Sequence, residues 1–237
     1  FDNSDCYIFK KNSNELKSVI SIHDLESAFI KKDRKLIIKL FNELMSVSSE
    51  VHILEYLIEL SLKQTGKSFL SIWSIYKSIL FLNNGSRDFI NLAADIILSD
   101  EFEDSSLLDA SIDINDIIKY DLSFNSIDLY SHLLEAYNGN LIRASNIKTL
   151  VKSLINRKFK KNKINNFNIS DDNKFPNLLK DGRKSLLSFI DGKDILNINS
   201  DLILLLDSIR SLVRLLDNKK HKIVCFHFEK ILEGFYV

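Results

Sequence analysis

The sequence predicts an all-α fold, and three observations predict it. Proline and glycine, the residues that punctuate strands and tight turns, number one and six in 237 residues. Apolar residues recur at three- and four-residue spacing, the period of a helix with one face in a core. Short polar residues of helix-capping type stand at the edges of most of these stretches.

The elements follow in chain order. Ser21 with Asp24 makes a capping-box-like start for a helix over 22–31 that carries Leu25, Ala28 and Phe29. Asp33 supplies an acceptor for the open N–H groups of the next helix, which carries Leu36, Ile37, Leu40, Phe41 and Leu44. Ser48 and Ser49 restart the chain for a helix over 50–63, and Gly66 permits the left-handed residue that ends it. A strongly apolar helix over 67–82 stops at Asn83-Asn84-Gly85. Its aromatic content makes it the expected central core helix, with Ser68, Ser71, Ser74 and Ser78 as a strip of close approach to a neighbour. Further helices are expected at 87–98, 105–119, 126–137, 141–160, 184–190, 201–217 and 221–234, about eleven in all. Short links favour stacked antiparallel helical hairpins or an irregular bundle. No period of roughly 33–47 residues with matched signature positions is present, so a repeat solenoid is the weaker reading.

Domain organisation follows from charge and composition. The chain carries 32 basic and 32 acidic residues, 45% hydrophobic and 27% charged, which excludes a disordered chain and a bulk polycation. The balance is a cancellation in place. From Asp88 to Glu135 there are twelve acidic residues and one basic one; from Ala136 to Ser170 there are eight basic residues and no acid. The Lys- and Asn-rich stretch 158–180, with the single proline Pro176, reads as a linker between a main helical domain, 15–157, and a C-terminal helical section, 181–237, with 1–14 as an N-terminal arm. The abundance of Ile (31) and Asn (22) against six Ala and two Thr has the look of an AT-rich genome and carries no functional weight. Two cysteines far apart make no disulfide scaffold, and the longest apolar stretch, Phe69 to Leu82, is too short and too serine-rich to span a bilayer. The expected compartment is the cytoplasm, with a targeting peptide ahead of Phe1 compatible with the sequence.

Several patterns bear on chemistry. Gln64-Thr65-Gly66-Lys67-Ser68 is similar to the end of a phosphate-binding loop, but such a loop needs a glycine where Ser61 stands and a strand before it, so the match is read as chance. Three histidines are followed at +3 by glutamate: His23 and Glu26, His52 and Glu55, His132 and Glu135. On helices each pair projects from one face, and inward-facing His and Glu from several helices can hold iron or another divalent metal in a bundle oxidase. The order is the reverse of the usual bundle motif. On a helical wheel His52, Glu55, Glu59 and Lys63 share a polar face, as do Asp128, Ser131, His132 and Glu135, so solvent is the expected partner of both. His221, Cys225, His227 and Glu229 give no complete zinc set in either helical or extended geometry.

Two binding readings remain. Trp73 and Tyr76 on the apolar helix either pack in the core, the preferred reading, or line a ligand pocket. The basic neck, with Lys152, Arg157, Lys158, Lys160, Lys161 and Lys163, suits an acidic partner or nucleic-acid phosphates. The function expected from these patterns is a non-catalytic helical interaction or scaffold module with a protein partner. A metal-dependent bundle oxidase is the first alternative and nucleic-acid binding through the neck the second.

Overall fold

The computed structural model of the chain describes residues 22–82, 87–103, 113–159, 164 and 200–233. The fold is all-α: the described elements are α1 (Ile22–Ile30), α2 (Arg34–Val47), α3 (Glu50–Leu62), α4 (Lys67–Leu82), α5 (Arg87–Ser99), a 3₁₀ helix (Ile114–Lys119), α6 (Phe124–Asn138), α7 (Ala144–Lys158), α8 (Ser200–Leu215) and α9 (Asn218–Glu233). Of the helix expected over 105–119, the part before residue 113 lies outside the described residues, and Ile114–Lys119 is 3₁₀ rather than α. The 1–14 arm, the 184–190 helix and most of the 158–180 linker also lie outside them. No described helix is long and apolar enough to cross a membrane.

The chain divides into two compact units, Phe1–Ser106 with Leu141–Leu150, and Leu107–Asn140 with Val151–Val237. The segment read as one main domain, 15–157, therefore contributes to both units, and α7 changes unit between Leu150 and Val151.

In the first unit the two caps that can be read, at Asp33 and Ser49, act as the sequence implies, whereas Ser21 and Asn83-Asn84-Gly85 lie outside the described residues. Asp33 Oδ1 accepts the Leu36 N–H at 3.1 Å, and Ser49 Oγ accepts that of His52 at 3.3 Å. Gly66 takes φ 96°, which a Cβ would oppose, but it does not end α3: that helix stops at Leu62 with Lys63 as its C-cap, and Gly66 stands immediately before α4. The centre is α3, not α4: every residue from Ile53 to Leu62 is buried, and α3 packs against both α4 and α5. The helix α4 is one-sided. Phe69, Ile72, Trp73, Ile75, Tyr76 and Ile79 are buried, whereas Ser71, Ser74 and Ser78 face solvent rather than a neighbour. Ser74 and Ser78 return their hydroxyls to the carbonyls of Leu70 and Ser74 on their own helix. Burial of side chains such as Leu54, Leu57 and Ile58, each worth about 1.5–3 kcal/mol, places the unit's stability on α3.

In the second unit the main contact is α6 against α8, with α9 packed on α8 and on the 3₁₀ helix. Tyr130, fully buried, donates to the Ile114 carbonyl at 3.0 Å and meets Phe159 edge-on at 6.0 Å, tying α6 to the 3₁₀ helix and to the end of α7. Burial and the nearby Asp113 and Asp116 push its phenol well above the ordinary range.

Candidate functional site

Polar side chains that the helical wheel assigns to water are buried in both units. In the first, Glu55 and Glu59 of α3 are 1% and 6% exposed. A buried carboxylate is tolerated only when its oxygens are hydrogen-bonded. Glu55 accepts the Ile142 N–H on Oε1 at 3.1 Å and the Arg143 N–H on Oε2 at 2.8 Å, with the Tyr76 hydroxyl at 3.5 Å. It thereby caps the entry to α7, the place an anion would take at a helix start. Glu59 takes both arms of the Arg143 guanidinium, Nε at 2.5 Å and Nη2 at 2.9 Å, while that guanidinium lies 5.8 Å from the Tyr56 ring centre. The bond to Glu59 first, and its charge, hold Arg143 above its already high ordinary value. Burial beside Glu55 pushes the Tyr76 phenol up to about 12. Lys63, on the same wheel face as Glu59, meets Glu26 of α1 at 2.6 Å.

In the second unit His132, 6% exposed, sits between two carboxylates of its own helix, Nδ1 3.1 Å from Glu135 Oε2 and Nε2 3.5 Å from Asp128 Oδ1. From α8, Ser208 Oγ donates to Asp128 at 2.8 Å, Ser211 Oγ donates to Glu135, and Arg214 Nη2 lies 3.6 Å from the same Glu135 oxygen. The expected solvated face is a buried polar seam because α8 covers it. The hydroxyls donate to carboxylates and not to the imidazole, so the seam lacks the base-activated serine of a hydrolase. The pairing order rises along both helices, as for neighbours that run the same way and not as for a hairpin. Asp128 was read as part of a solvated face, and Ser208 and Ser211 were not singled out from sequence; the available signal was two serines three residues apart within a leucine-rich helix.

The other residues of the metal reading are placed as follows. His23 is exposed on α1, His52 is half-buried in the first turn of α3, and Glu26 holds Lys63. Among the described residues no three His, Cys, Asp or Glu side chains gather to hold an ion. The Cys225 side chain is buried in α9. Trp73 and Tyr76, the pocket reading, are buried and stack on each other at 5.3 Å with Phe69 beyond.

The loop at Gln64–Ser68 explains its own resemblance. It joins α3 to α4 and is pinned by α5: Gln64 Nε2 donates to the Ile97 carbonyl at 2.8 Å, and Thr65 Oγ1 donates to the Asp100 carboxylate at 2.8 Å. The Ser68 backbone N–H also donates to Asp100, so the start of α4 is filled by the chain's own anion. Burial pushes the Asp100 carboxyl up, and bonds from the Glu101 amide, Thr65 and Ser68 outweigh it, leaving it below the ordinary value.

The basic neck is divided. Arg143 is consumed by Glu59. Lys148, Lys152 and Lys158 are exposed on α7, a helix with no acidic residue, with Lys152 Nζ 5.7 Å from the Tyr137 ring centre; Arg157 is half-buried, and Lys160, Lys161 and Lys163 lie outside the described residues. At the end of α4, Phe81 is 86% exposed and Leu80 51%, and Phe81 lines a shallow groove with Ser74, Lys77 and Ser78. Comparison with protein-family models, curated proteins and solved structures finds no match to this chain in any of the three.

Proposed function

We propose that the chain is a non-catalytic helical interaction module that docks a partner protein at the end of α4. The observation that carries this reading is the exposure of Phe81, 86%, on a helix whose opposite face is core. Large aromatic side chains left in water mark contact surfaces more than isolated aliphatic ones do. The groove sets an aromatic ring beside two serine hydroxyls and the Lys77 ammonium. That chemistry suits a partner segment presenting an apolar side chain next to a carboxylate. The test uses a partner purified on the wild-type chain, its affinity measured for wild type, Phe81→Ser and Lys77→Glu. Phe81→Ser should weaken binding at least tenfold without lowering the melting temperature. Affinity unchanged within twofold in both variants would falsify the assignment.

The sequence of α7, with four basic and no acidic residues, favours a second reading, a polyanion contact through Lys148, Lys152 and Lys158. Retention on heparin should then fall steeply with salt and drop when the three lysines become Ser; equal retention removes this reading.

A further inference from the structure

Helix α9 is held to the 3₁₀ helix by a histidine with one satisfied and one orphaned nitrogen. His227 is fully buried, and its Nε2 lies 2.8 Å from the Ile118 carbonyl oxygen. A carbonyl only accepts, so Nε2 carries the hydrogen and Nδ1 is the lone-pair nitrogen of a neutral ring. Nδ1 is buried without a hydrogen-bond partner. The residues flanking this bond in the two helices are apolar and buried, Ile117 and Ile118 in one and Val224 and Phe228 in the other, and the Phe226 ring stands edge-on at 5.6 Å.

Among the described residues, most charged groups on the elements packed around His227 are engaged with one another. Lys230 on the same helix pairs with Asp121, just beyond the 3₁₀ helix. Asp116 and Lys119 of the 3₁₀ helix pair with each other and with Lys220 of α9, and Asp207 and Arg210 of α8 pair at the surface. His221 is turned to the Leu216 carbonyl at 3.2 Å, and Glu229 is half-buried on α9. A second N–H on His227 would meet no acceptor and would set a charge among apolar side chains.

We propose that His227 is a proton-sensitive latch, so that acidification loosens α9 from the 3₁₀ helix and uncovers the apolar surface of Ile117, Ile118, Val224 and Phe228. Burial, the largest influence, holds the imidazole below its ordinary value, with Lys230 acting the same way and the Ile118 bond and Asp121 opposing. The open form titrates at the ordinary value, about 6.5. The latch is therefore intact above that pH and weakens as pH falls toward the depressed value of the closed form. Within this window the opening constant rises about tenfold per pH unit, one proton being taken up.

Hydrogen exchange of α9 amides in the full chain, corrected for intrinsic exchange rates and followed from about pH 7.5 to about pH 5, tests the latch. Wild type should show the tenfold-per-unit rise. His227→Gln, whose Nε2 can still donate to Ile118 without titrating, should be flat, and this separates the effect from His132. A flat wild type, or an equal slope in His227→Gln, overturns the proposal. Should that variant not fold, the NMR titration of the His227 ring in wild type decides: a midpoint below about 6.5 supports the latch, and one at or above it overturns it.

Discussion

Replacing Glu55 with alanine probes a buried polar contact of the first unit. The side chain holds two backbone N–H groups, those of Ile142 and Arg143, at 3.1 and 2.8 Å. A hydrogen bond to a charged group contributes about 1.5–3 kcal/mol, so two represent about 3–6 kcal/mol. Removing a buried carboxylate also relieves its desolvation, which offsets part of this, and the net expectation is a loss of about 2–4 kcal/mol. For a chain of this size that is roughly 5–15 °C in melting temperature. Glu55→Gln keeps one acceptor but turns an amide donor toward the other N–H, and should fall between wild type and alanine. Thermal unfolding gives the magnitude, and hydrogen exchange across 141–150 gives the place, since those amides should lose protection first. A loss below about 0.5 kcal/mol, or unchanged protection at 142 and 143, would refute the capping role.

Further perturbations have defined outcomes. Arg143→Ala strands the buried Glu59 and should cost about 3–5 kcal/mol, whereas Glu59→Gln with Arg143→Met should cost less than the two single changes summed; a double-mutant cycle by urea unfolding reads the coupling, and strict additivity contradicts the contact. Ser211→Ala removes a donor to Glu135 at the α6 and α8 seam and should cost about 1–3 kcal/mol, read by the same denaturant midpoint. Asp100, depressed in the folded chain, adds stability above the ordinary carboxylate value that is lost as pH falls through the depressed one; Asp100→Asn should flatten the melting temperature across about pH 2–5, and an unchanged profile argues against its clamp on Thr65 and Ser68. Leu54→Ala, at a fully buried position on α3, should cost about 2–5 kcal/mol, and a loss under 1 kcal/mol would displace α3 from the centre.

Much of the local structure was legible because it is local. Asp33 and Ser49 cap the helices they precede, since a side-chain oxygen beside an open N–H needs nothing from the rest of the chain. Gly66 turns left-handed for an equally local steric reason. The packing partners were not legible. A helical wheel shows that Glu55 and Glu59 share a face with His52, but not that the segment after residue 140 returns to cover that face. The same limit misassigned Asp128, His132 and Glu135, which α8 covers from some 80 residues further along the chain. It also made α4 the expected centre, because hydrophobicity reports how much a helix must bury and not how many neighbours surround it.

The sequence by itself determined the all-α class, most helix positions, their caps and the separation of acidic from basic stretches, all consequences of side-chain period and of contacts within about four residues. Tertiary structure alone decided which carboxylates lie inside, that Arg143 is spent on Glu59 and Asp100 on the start of α4, that Phe81 stays in water, and that His227 is sealed against Ile118. The physical reason is that burial depends on the rotation of each helix about its axis and on which distant segment lands on it. A buried charge is stable only when that landing brings a donor, and no single helix carries that information.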